Sequence, residues 1–283
     1  MSKIKVAELF YSLQGEGQYL GTPSVFLRVF GCNFQCAGFS MPRGQLSQER
    51  LAIDPASFDS YDSLPLVHTG CDSYASWDVR FKHLSPMLTV EAIVDRIQEL
   101  LPNGEFSEDK HLILTGGEPL LGWQKSYIDL LKEIEKRQMN LTHITFETNG
   151  TQPIRQDLAE YLSENNYLTT FSISSKLPSS GESWEDAIKP EVINEYMEKT
   201  WSSQGYFKWV VSNQDDYEDV VRAVKAYEQV INDYKMPVYL MPAGGTTMHY
   251  NDNEKWVADI AMKNGWRYTP RLQVQLWKNA WGT

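Results

Sequence analysis

Residues 24–36 read Ser-Val-Phe-Leu-Arg-Val-Phe-Gly-Cys-Asn-Phe-Gln-Cys, an apolar run that leads directly into a glycine and two cysteines. Short runs of β-branched and aromatic residues that end in polar or glycine-rich turns are typical of buried strands. Five further runs of this kind follow, mostly separated by amphipathic helical stretches, so the pattern predicts βα units around a parallel sheet. The six predicted strands are residues 24–30, 111–114, 143–147, 169–174, 206–211 and 238–241.

The clearest predicted helix lies between the first two of these strands. Apolar residues recur at helical spacing from Val90 to Leu101, and Thr89 is placed to cap the first turn. Residues 102–104, Pro-Asn-Gly, end the helix. Four further helices are predicted at residues 124–137, 184–200, 217–234 and 253–263.

Residues 39–69 are the exception to the alternation. They contain three prolines and many Ser and Asp residues, without a sustained period. This segment is interpreted as an irregular insertion inside one domain that spans residues 1–283. A specificity or partner element and a tolerated surface excursion are both open interpretations of it.

The composition excludes several classes of protein. Of 283 residues 42% are hydrophobic, which excludes a disordered chain, and 26 Lys and Arg against 37 Asp and Glu give a net charge of −11. The basic residues are scattered, which disfavours nucleic-acid binding. No apolar stretch approaches a membrane span and no leader is visible, so we expect a soluble, cytoplasmic protein with no membrane partner. Three cysteines, an odd number, fit a reducing compartment.

Residues with metal-binding or ligand-binding chemistry follow the predicted strands. Cys32 and Cys36 form a CxxxC pair, Cys71 comes much later, and three thiolates can hold three irons of a four-iron cluster. Free cysteines are also often small buried hydrophobes. Glycine-rich or polar turns end three other strands, and Arg28 lies within an apolar run. Those turns are residues 115–119 (Thr-Gly-Gly-Glu-Pro), 147–150 (Glu-Thr-Asn-Gly) and 174–176 (Ser-Ser-Lys).

Together these motifs resemble the 7-carboxy-7-deazaguanine synthases of the radical S-adenosylmethionine (SAM) superfamily. The resemblance rests on their joint occurrence in the expected order along most of the chain. The motifs are residues 8–17 with Gln-Gly-Glu-Gly at their end, 26–36, 70–73 (Gly-Cys-Asp-Ser), 115–119, 174–176 and 270–277 (Pro-Arg-Leu-Gln-Val-Gln-Leu-Trp).

The resemblance implies a partial, modified (β/α)6 TIM-like barrel with the insertion inside the cluster-binding loop. It implies a [4Fe-4S] cluster on Cys32, Cys36 and Cys71, with SAM on the fourth iron and Mg²⁺ on Ser73. The implied reaction starts with hydrogen abstraction from C6 of 6-carboxy-5,6,7,8-tetrahydropterin and ends, after ring contraction and loss of ammonia, in 7-carboxy-7-deazaguanine. A homodimer and a reductant protein such as flavodoxin or ferredoxin are implied partners.

The resemblance also implies roles for individual residues. Arg28 fits the substrate carboxylate, and Gln14 and Glu16 fit the pterin edge. The implied substrate-binding set is Leu13, Gln14, Gly15, Glu16, Arg28 and Thr115, and the implied SAM-binding set is Asp72, Gly117, Glu118, Glu147, Asn149, Ser174, Ser175 and Lys176.

Three positions depart from the family pattern. The usual CxxxCxxC is here CxxxC, with Phe39 in place of the third cysteine, and 34 residues separate Cys36 from Cys71. The resemblance implies the third-ligand role for Cys71, because Asp72 and Ser73 follow it as in the family's local signature and no other cysteine exists. Ser175 replaces a proline, and Gln273 replaces a histidine.

Two rival functions are compatible with parts of the pattern. An activase that installs a glycyl radical on a partner protein would share the cluster but would need a docking surface for that partner. A non-catalytic zinc module could use the three cysteines and His68 as four tetrahedral ligands.

Overall fold

One mixed sheet organises the molecule. The computed structural model describes residues 2–107, 110–201, 203–231, 236–244 and 253–283. In this part of the chain nine strands occur in the spatial order β3-β1-β2-β4-β5-β6-β7-β8-β9, and all neighbours from β2 to β9 are parallel. The strands are β1 (Lys3–Leu13), β2 (Pro23–Val29), β3 (Met87–Thr89), β4 (His111–Gly116), β5 (His143–Thr148), β6 (Leu168–Ile173), β7 (Ser203–Val211), β8 (Val238–Pro242) and β9 (Arg267–Tyr268).

Eight α-helices connect or follow these strands in the described part of the chain. Most of them cover the outer face of the sheet and enclose the main apolar core with it. They are α1 (Val90–Leu100), α2 (Gln124–Lys136), α3 (Gln156–Glu164), α4 (Trp184–Ala187), α5 (Pro190–Lys199), α6 (Gln214–Val230), α7 (Glu254–Lys263) and α8 (Leu272–Trp277).

The six predicted strands are confirmed as β2 and β4 to β8, which form the parallel part of the sheet. The sequence interpretation missed β1, β3 and β9. β1 pairs antiparallel with both β2 and β3, and a register shift between Val6 and Glu8 interrupts its alternation of apolar and polar residues. β9 has only two residues, too few for a periodic signal.

The predicted helices are confirmed except for one. In α1, the Thr89 hydroxyl accepts a hydrogen bond from the Ala92 N–H at 3.3 Å, as a cap should. The single helix predicted at 184–200 is wrong, because the chain forms α4 and then starts again with Pro190 at the first position of α5, where proline's missing N–H costs nothing. α6 starts at Gln214, after the cap Asn213, and residues 232–234 of its predicted end lie outside the described residues.

Side chains along β2 point alternately into the apolar core and into the inside of the barrel. Val25, Leu27 and Val29 are fully buried in the apolar core. Phe26 and Arg28, on the opposite face, line an internal cavity. Because strand side chains alternate between faces, one strand contributes both to stability and to the site. Within the described ranges, no helix has the length and apolar character needed to cross a membrane.

The insertion is irregular, as predicted, but it is not merely an excursion over the surface. It contains three 3-10 turns, Glu49–Ala52, Pro55–Ser57 and Tyr61–Ser63. Its apolar side chains form a second small core with residues from outside the insertion, and this core comprises Ala7, Tyr61, Leu64, Val67, Tyr74, Ala75 and Phe81.

A pair of histidines lies at the amino ends of β4 and β5. The rings of His111 and His143 are 3.6 Å apart between centroids, and the Tyr19 ring meets both edge-on. His143 Nε2 lies 2.7 Å from the Thr170 hydroxyl. Burial, together with the neighbouring His111, lowers the pKa of His143 to about 3.

Acid is therefore expected to destabilise the protein through His143. In the unfolded chain His143 titrates near its ordinary pKa. Between about pH 6.5 and 3 the unfolded chain therefore binds one proton more than the folded protein, and the free energy of unfolding decreases as the pH is lowered. We expect a loss of about 1 kcal/mol at pH 5 relative to pH 7 from this residue, after allowance for solvent screening. Urea unfolding of wild type and His143→Gln at both pH values measures it, and an equal pH dependence in the two proteins would contradict the expectation.

Candidate active site

A cavity of about 290 Å³ lies inside the barrel towards the carboxyl ends of the strands. Its walls bring together residues from distant parts of the sequence. Every predicted site residue lines it except Glu118 and Ser175. The lining members are Leu13, Gln14, Gly15, Glu16, Arg28, Cys32, Cys36, Cys71, Asp72, Ser73, Thr115, Gly117, Glu147, Asn149, Ser174 and Lys176.

The three cysteines come together although the insertion separates them. The Gly70 N–H donates to the Phe39 carbonyl at 2.8 Å, and the Ser47 N–H donates to the Ala37 carbonyl at 2.7 Å. The first bond joins the two ends of the insertion, and the second closes the shorter turn between residues 37 and 47. Cys32, Cys36 and Cys71 then pack in one cluster with Phe34, Phe39 and Ala187, so Phe39 lies beside the thiols.

The three thiols are buried, and burial disfavours their ionisation. Burial raises the pKa of Cys32 to about 12 and raises those of Cys36 and Cys71. The Lys176 ammonium opposes this rise at all three. Three soft sulfur donors around one cavity fit an iron–sulfur cluster.

The same geometry weighs against the zinc module. Among the residues that the structure describes, no three His, Cys, Asp or Glu side chains are close enough together to hold one metal ion. Ligands of one zinc ion must all lie within about 2.3 Å of it. Cysteines that bind different irons of a cluster lie farther apart, as a shared cavity allows.

Gly117 allows the turn after β4 to touch residues 31–38, which carry Cys32 and Cys36 and are called the cysteine loop below. A Cβ on Gly117 would lie 2.4 Å from the Gly31 carbonyl oxygen and 2.6 Å from the Cys32 Cβ. The Glu118 N–H donates to the same Gly31 carbonyl at 2.8 Å. The glycine is therefore required for close backbone approach beside the first cysteine.

Glu118 is buried behind the cavity wall, and neighbouring groups donate hydrogen bonds to both oxygens of its carboxylate. Oε1 accepts from the Leu120 N–H at 3.0 Å and from the Thr148 hydroxyl at 2.8 Å, and Oε2 accepts from the Asn149 N–H at 2.7 Å. Burial raises its pKa above the ordinary value. Glu118 thus joins the turns after β4 and β5, and Asn149 in turn donates to Asn33 in the cysteine loop at 3.0 Å.

The Ser-Ser-Lys turn after β6 points two ways. Ser174 and Lys176 line the cavity, with Lys176 Nζ 3.1 Å from the Ser174 hydroxyl. Ser175 is buried on the other side, and its hydroxyl lies 2.7 Å from that of Tyr227 in α6. The serine that replaces proline therefore anchors the turn to a helix.

An ion network that the sequence did not predict occupies the far wall of the cavity. Lys208, buried on β7, lies 2.7 Å from Glu16 and 2.9 Å from Glu147. The Gln14 amide donates to the second oxygen of Glu147 at 3.0 Å. The signal for Lys208 was available, because it is a lone cation in the apolar run 206–211, as Arg28 is in its own strand.

Arg271 extends this network towards the cysteines. Its Nε lies 3.1 Å from Glu16 and its Nη2 lies 2.5 Å from Asp72, which follows Cys71. Burial alone would raise the pKa of Glu16, but the charges of Lys208 and Arg271 outweigh it and hold this pKa well below its ordinary value. The pKa of Lys208 is correspondingly raised, since the two carboxylates outweigh its burial. Glu16 is therefore a carboxylate and Lys208 an ammonium.

Gly15 and Gly17 let the segment between β1 and β2 lie against other parts of the barrel. A Cβ on Gly15 would lie 1.9 Å from Gln273 Oε1, and one on Gly17 would lie 2.6 Å from the Tyr206 hydroxyl, at a φ of +75°. Gln273 donates to Glu16 at 2.6 Å, and its own buried oxygen has no partner among the described residues.

Arg28 already has protein partners. Its Nε donates to Glu8, on the neighbouring β1, at 2.7 Å, and its Nη1 donates to the Ser73 hydroxyl at 3.3 Å. Glu8 also accepts from the Gly282 N–H at 2.9 Å. Trp281 donates to the Leu64 carbonyl at 3.0 Å, so residues 281–282 tie the insertion to this wall of the cavity.

Comparison with known proteins agrees with this site. The model of the Radical SAM superfamily matches residues 69–260. A 7-carboxy-7-deazaguanine synthase of Pyrobaculum aerophilum is 30% identical over 99% of this chain and 97% of its own, and one of Halobacterium salinarum is 30% identical over 98% and 91%. The chain belongs to the 7-carboxy-7-deazaguanine synthase family of the Radical SAM superfamily.

Membership in this family, which acts in 7-deazapurine biosynthesis, identifies the chain as a radical SAM enzyme. It implies a [4Fe-4S] cluster and SAM as cofactors, a reductant, and a small-molecule substrate. The fold class is confirmed by the crystal structure of QueE from Escherichia coli, which has a TM-score of 0.55 and covers 95% of this chain and 94% of its own at 19% identity. The superfamily match begins two residues before Cys71, so it leaves out Cys32, Cys36 and all but the last residue of the insertion.

Gly117→Ala is expected to displace the cysteine loop. The new methyl group would overlap Gly31 and Cys32, at a cost of about 1–3 kcal/mol, and would move Cys32, the first of the three cysteines expected to hold the cluster. Iron and sulfide content after anaerobic reconstitution should fall below that of wild type. The matched control is Gly122→Ala in the same turn, where nothing lies within 4 Å of the added Cβ. Equal cluster content in both variants would contradict this role.

Lys208→Gln is expected to destabilise the fold by about 3 kcal/mol, because it leaves Glu16 and Glu147 facing each other without their shared cation. Lys199→Gln is the control, since its pair with Glu195 is on the surface of α5 and contributes at most about 0.5 kcal/mol. Free energies of unfolding in urea measure both, and a loss for Lys208→Gln no larger than for Lys199→Gln would show that the network is not stabilising.

Proposed function

We propose that this enzyme converts 6-carboxy-5,6,7,8-tetrahydropterin into 7-carboxy-7-deazaguanine with loss of ammonia. The observation that carries the proposal is the shared cavity, which has three cysteines on one wall and a network of Gln14, Glu16 and Glu147 on another. The curated relatives that match nearly the whole chain bear the name of this product.

In this proposal Cys32, Cys36 and Cys71 hold the cluster, and the walls formed by Gly117 and Lys176 hold SAM. Asp72, Asn149, Ser174 and Glu147 would complete the SAM pocket. When bound, the reduced cluster and SAM would supply a radical that abstracts hydrogen from C6 of the substrate. Glu118 and Ser175 would act indirectly, by holding the turns that carry Asn149 and Ser174.

The polar wall of the cavity has the capacity to bind a pterin edge. Glu16 is held by Lys208, yet its carboxylate keeps an unused lone pair, and Gln14 keeps one N–H. Gln273 donates to Glu16 at 2.6 Å and helps to orient it. Acceptors of this kind match the amino and ring N–H groups of a pterin, with Leu13, Gly15 and Thr115 as neighbouring contacts.

Arg28 is proposed to bind the substrate carboxylate. Glu8 accepts from Nε at one edge of the guanidinium, which fixes the orientation of the group, and Nη1 donates to the Ser73 hydroxyl. Ser73 is proposed to offer its hydroxyl to Mg²⁺, a hard cation that prefers oxygen ligands. A substrate carboxylate near Arg28 would bring the further oxygen atoms that such an ion requires.

The wider assignments follow from the family and stay proposals. We propose a cytoplasmic homodimer in which each chain is one radical SAM domain with the insertion at residues 39–69. Flavodoxin or ferredoxin is the proposed reductant. No nucleic-acid or membrane partner is proposed, in line with the net charge of −11.

The test is anaerobic reconstitution with iron and sulfide, followed by incubation with SAM, a reductant and 6-carboxytetrahydropterin. We expect wild type to yield both 5′-deoxyadenosine and 7-carboxy-7-deazaguanine by mass spectrometry, and Cys71→Ala to yield neither. Arg28→Gln should keep its cluster but form product at least 10-fold more slowly at low substrate, since a charge-assisted pair is lost. Deoxyadenosine without the deazaguanine would reject the pterin substrate, and zinc in place of iron would reject the enzyme.

A further inference from the structure

The loop after β6 contacts both the cysteine loop and the insertion, since a Cβ on Gly181 would lie 2.7 Å from Leu46 Cδ2. This segment, residues 178–188, includes the short helix α4 and is called the clamp loop below. The Gly38 N–H donates to the Ser180 carbonyl at 2.7 Å, and Ala187 packs against Phe34 and Cys36. A Cβ on Gly38 would lie 2.6 Å from the Gly181 nitrogen, so the two backbones are in direct contact.

Glu182 in the clamp loop binds two consecutive backbone N–H groups of the cysteine loop. Its Oε1 accepts from the Gln35 N–H at 2.9 Å and from the Cys36 N–H at 2.7 Å. Successive N–H groups around a left-handed residue form a concave site for an anion. Cys36 has a φ of +50°, a conformation that non-glycine residues rarely adopt.

This contact affects both the geometry and the electrostatics at Cys36. Without Glu182, the two N–H groups would lose their acceptor. The left-handed turn at Cys36 would then lose the hydrogen bonds that stabilise it. The carboxylate also places a negative charge 2.7 Å from the amide nitrogen of this cysteine. The reduction potential of an iron–sulfur cluster depends on nearby charge and on hydrogen bonds, and a neighbouring anion makes the addition of an electron less favourable.

We propose that Glu182 is a positioning residue for the cluster: it fixes the Cys36 ligand through two N–H groups and lowers the reduction potential of the cluster. The inference rests on the proposed function, which places the cluster on Cys32, Cys36 and Cys71. It adds a residue that lies outside all the motifs of the sequence analysis.

A second carboxylate provides a matched control. Glu49, in the insertion, accepts from the His68 N–H and the Thr69 N–H at 2.9 and 2.8 Å, so it also binds two consecutive backbone groups near a cysteine. Those groups precede Cys71 by two or more residues, whereas Glu182 binds the N–H of the ligand residue itself. Removal of the Glu49 charge tests whether any loop carboxylate has the same effect.

The experiment compares reconstituted full-length wild type, Glu182→Gln, Glu182→Ala and Glu49→Gln. Glu182→Gln keeps an oxygen acceptor and removes the charge, so iron and sulfide content should equal that of wild type while the midpoint potential shifts to a more positive value. Glu182→Ala removes the acceptor too, and cluster content should fall. Glu49→Gln should shift the potential less than Glu182→Gln. Spectroscopic redox titration without SAM measures the potentials.

The outcomes separate this inference from the proposed function. A wild type that assembles no cluster would overturn both. A wild type with a full cluster, together with a Glu182→Gln variant whose potential is unchanged or moves no more than that of Glu49→Gln, would overturn the inference alone. Full cluster content in Glu182→Ala would show that the two N–H groups do not need the carboxylate to position Cys36.

Discussion

The buried ammonium of Lys208 is the interaction on which the arrangement of the barrel interior depends. A charge removed from water is retained in a folded protein only if opposite charges and hydrogen bonds surround it. Lys208 on β7 meets this condition only when Glu16, from the segment after β1, and Glu147, from β5, both reach it. Arg271 then has to approach Glu16 from the other side. One cation thus brings together four distant parts of the chain around the cavity.

The glycines of the site follow from the same requirement. Gly15 and Gly17 let the chain carry Glu16 into the barrel, because any side chain there would overlap Gln273 or Tyr206. Gly117 similarly lets the turn after β4 touch the cysteine loop. These positions explain why glycine-rich motifs mark the site in the sequence. They are constraints on backbone approach, and the polar side chains between them are the groups left free to bind a ligand.

The sequence predicted those parts of the molecule that have a local cause. Buried parallel strands give continuous apolar runs, so β2 and β4 to β8 were found, whereas the bulge in β1 and the two residues of β9 left no periodic signal. Likewise, most of the predicted site residues line the cavity. Lys208 was missed although its place in an apolar run was a signal, whereas Glu182 was missed because it lies outside every motif and its partners are distant in sequence. Glu118 was predicted as a SAM-binding residue but does not line the cavity. A sequence cannot show that backbone and side-chain donors of the protein already bind a carboxylate.

The displaced third cysteine follows from the way the insertion is closed. The entropy cost of a loop rises only slowly with its length, so the 34 residues between Cys36 and Cys71 cost little more than a shorter excursion. What has to be kept is the distance between the loop ends, and the bond from Gly70 to Phe39 fixes it. The small core around Tyr61 adds apolar burial to offset the ordering of the extra residues. Convergence of the thiols therefore depends on these closing contacts and on the clamp loop, and the spacing of the cysteines along the chain is free to vary.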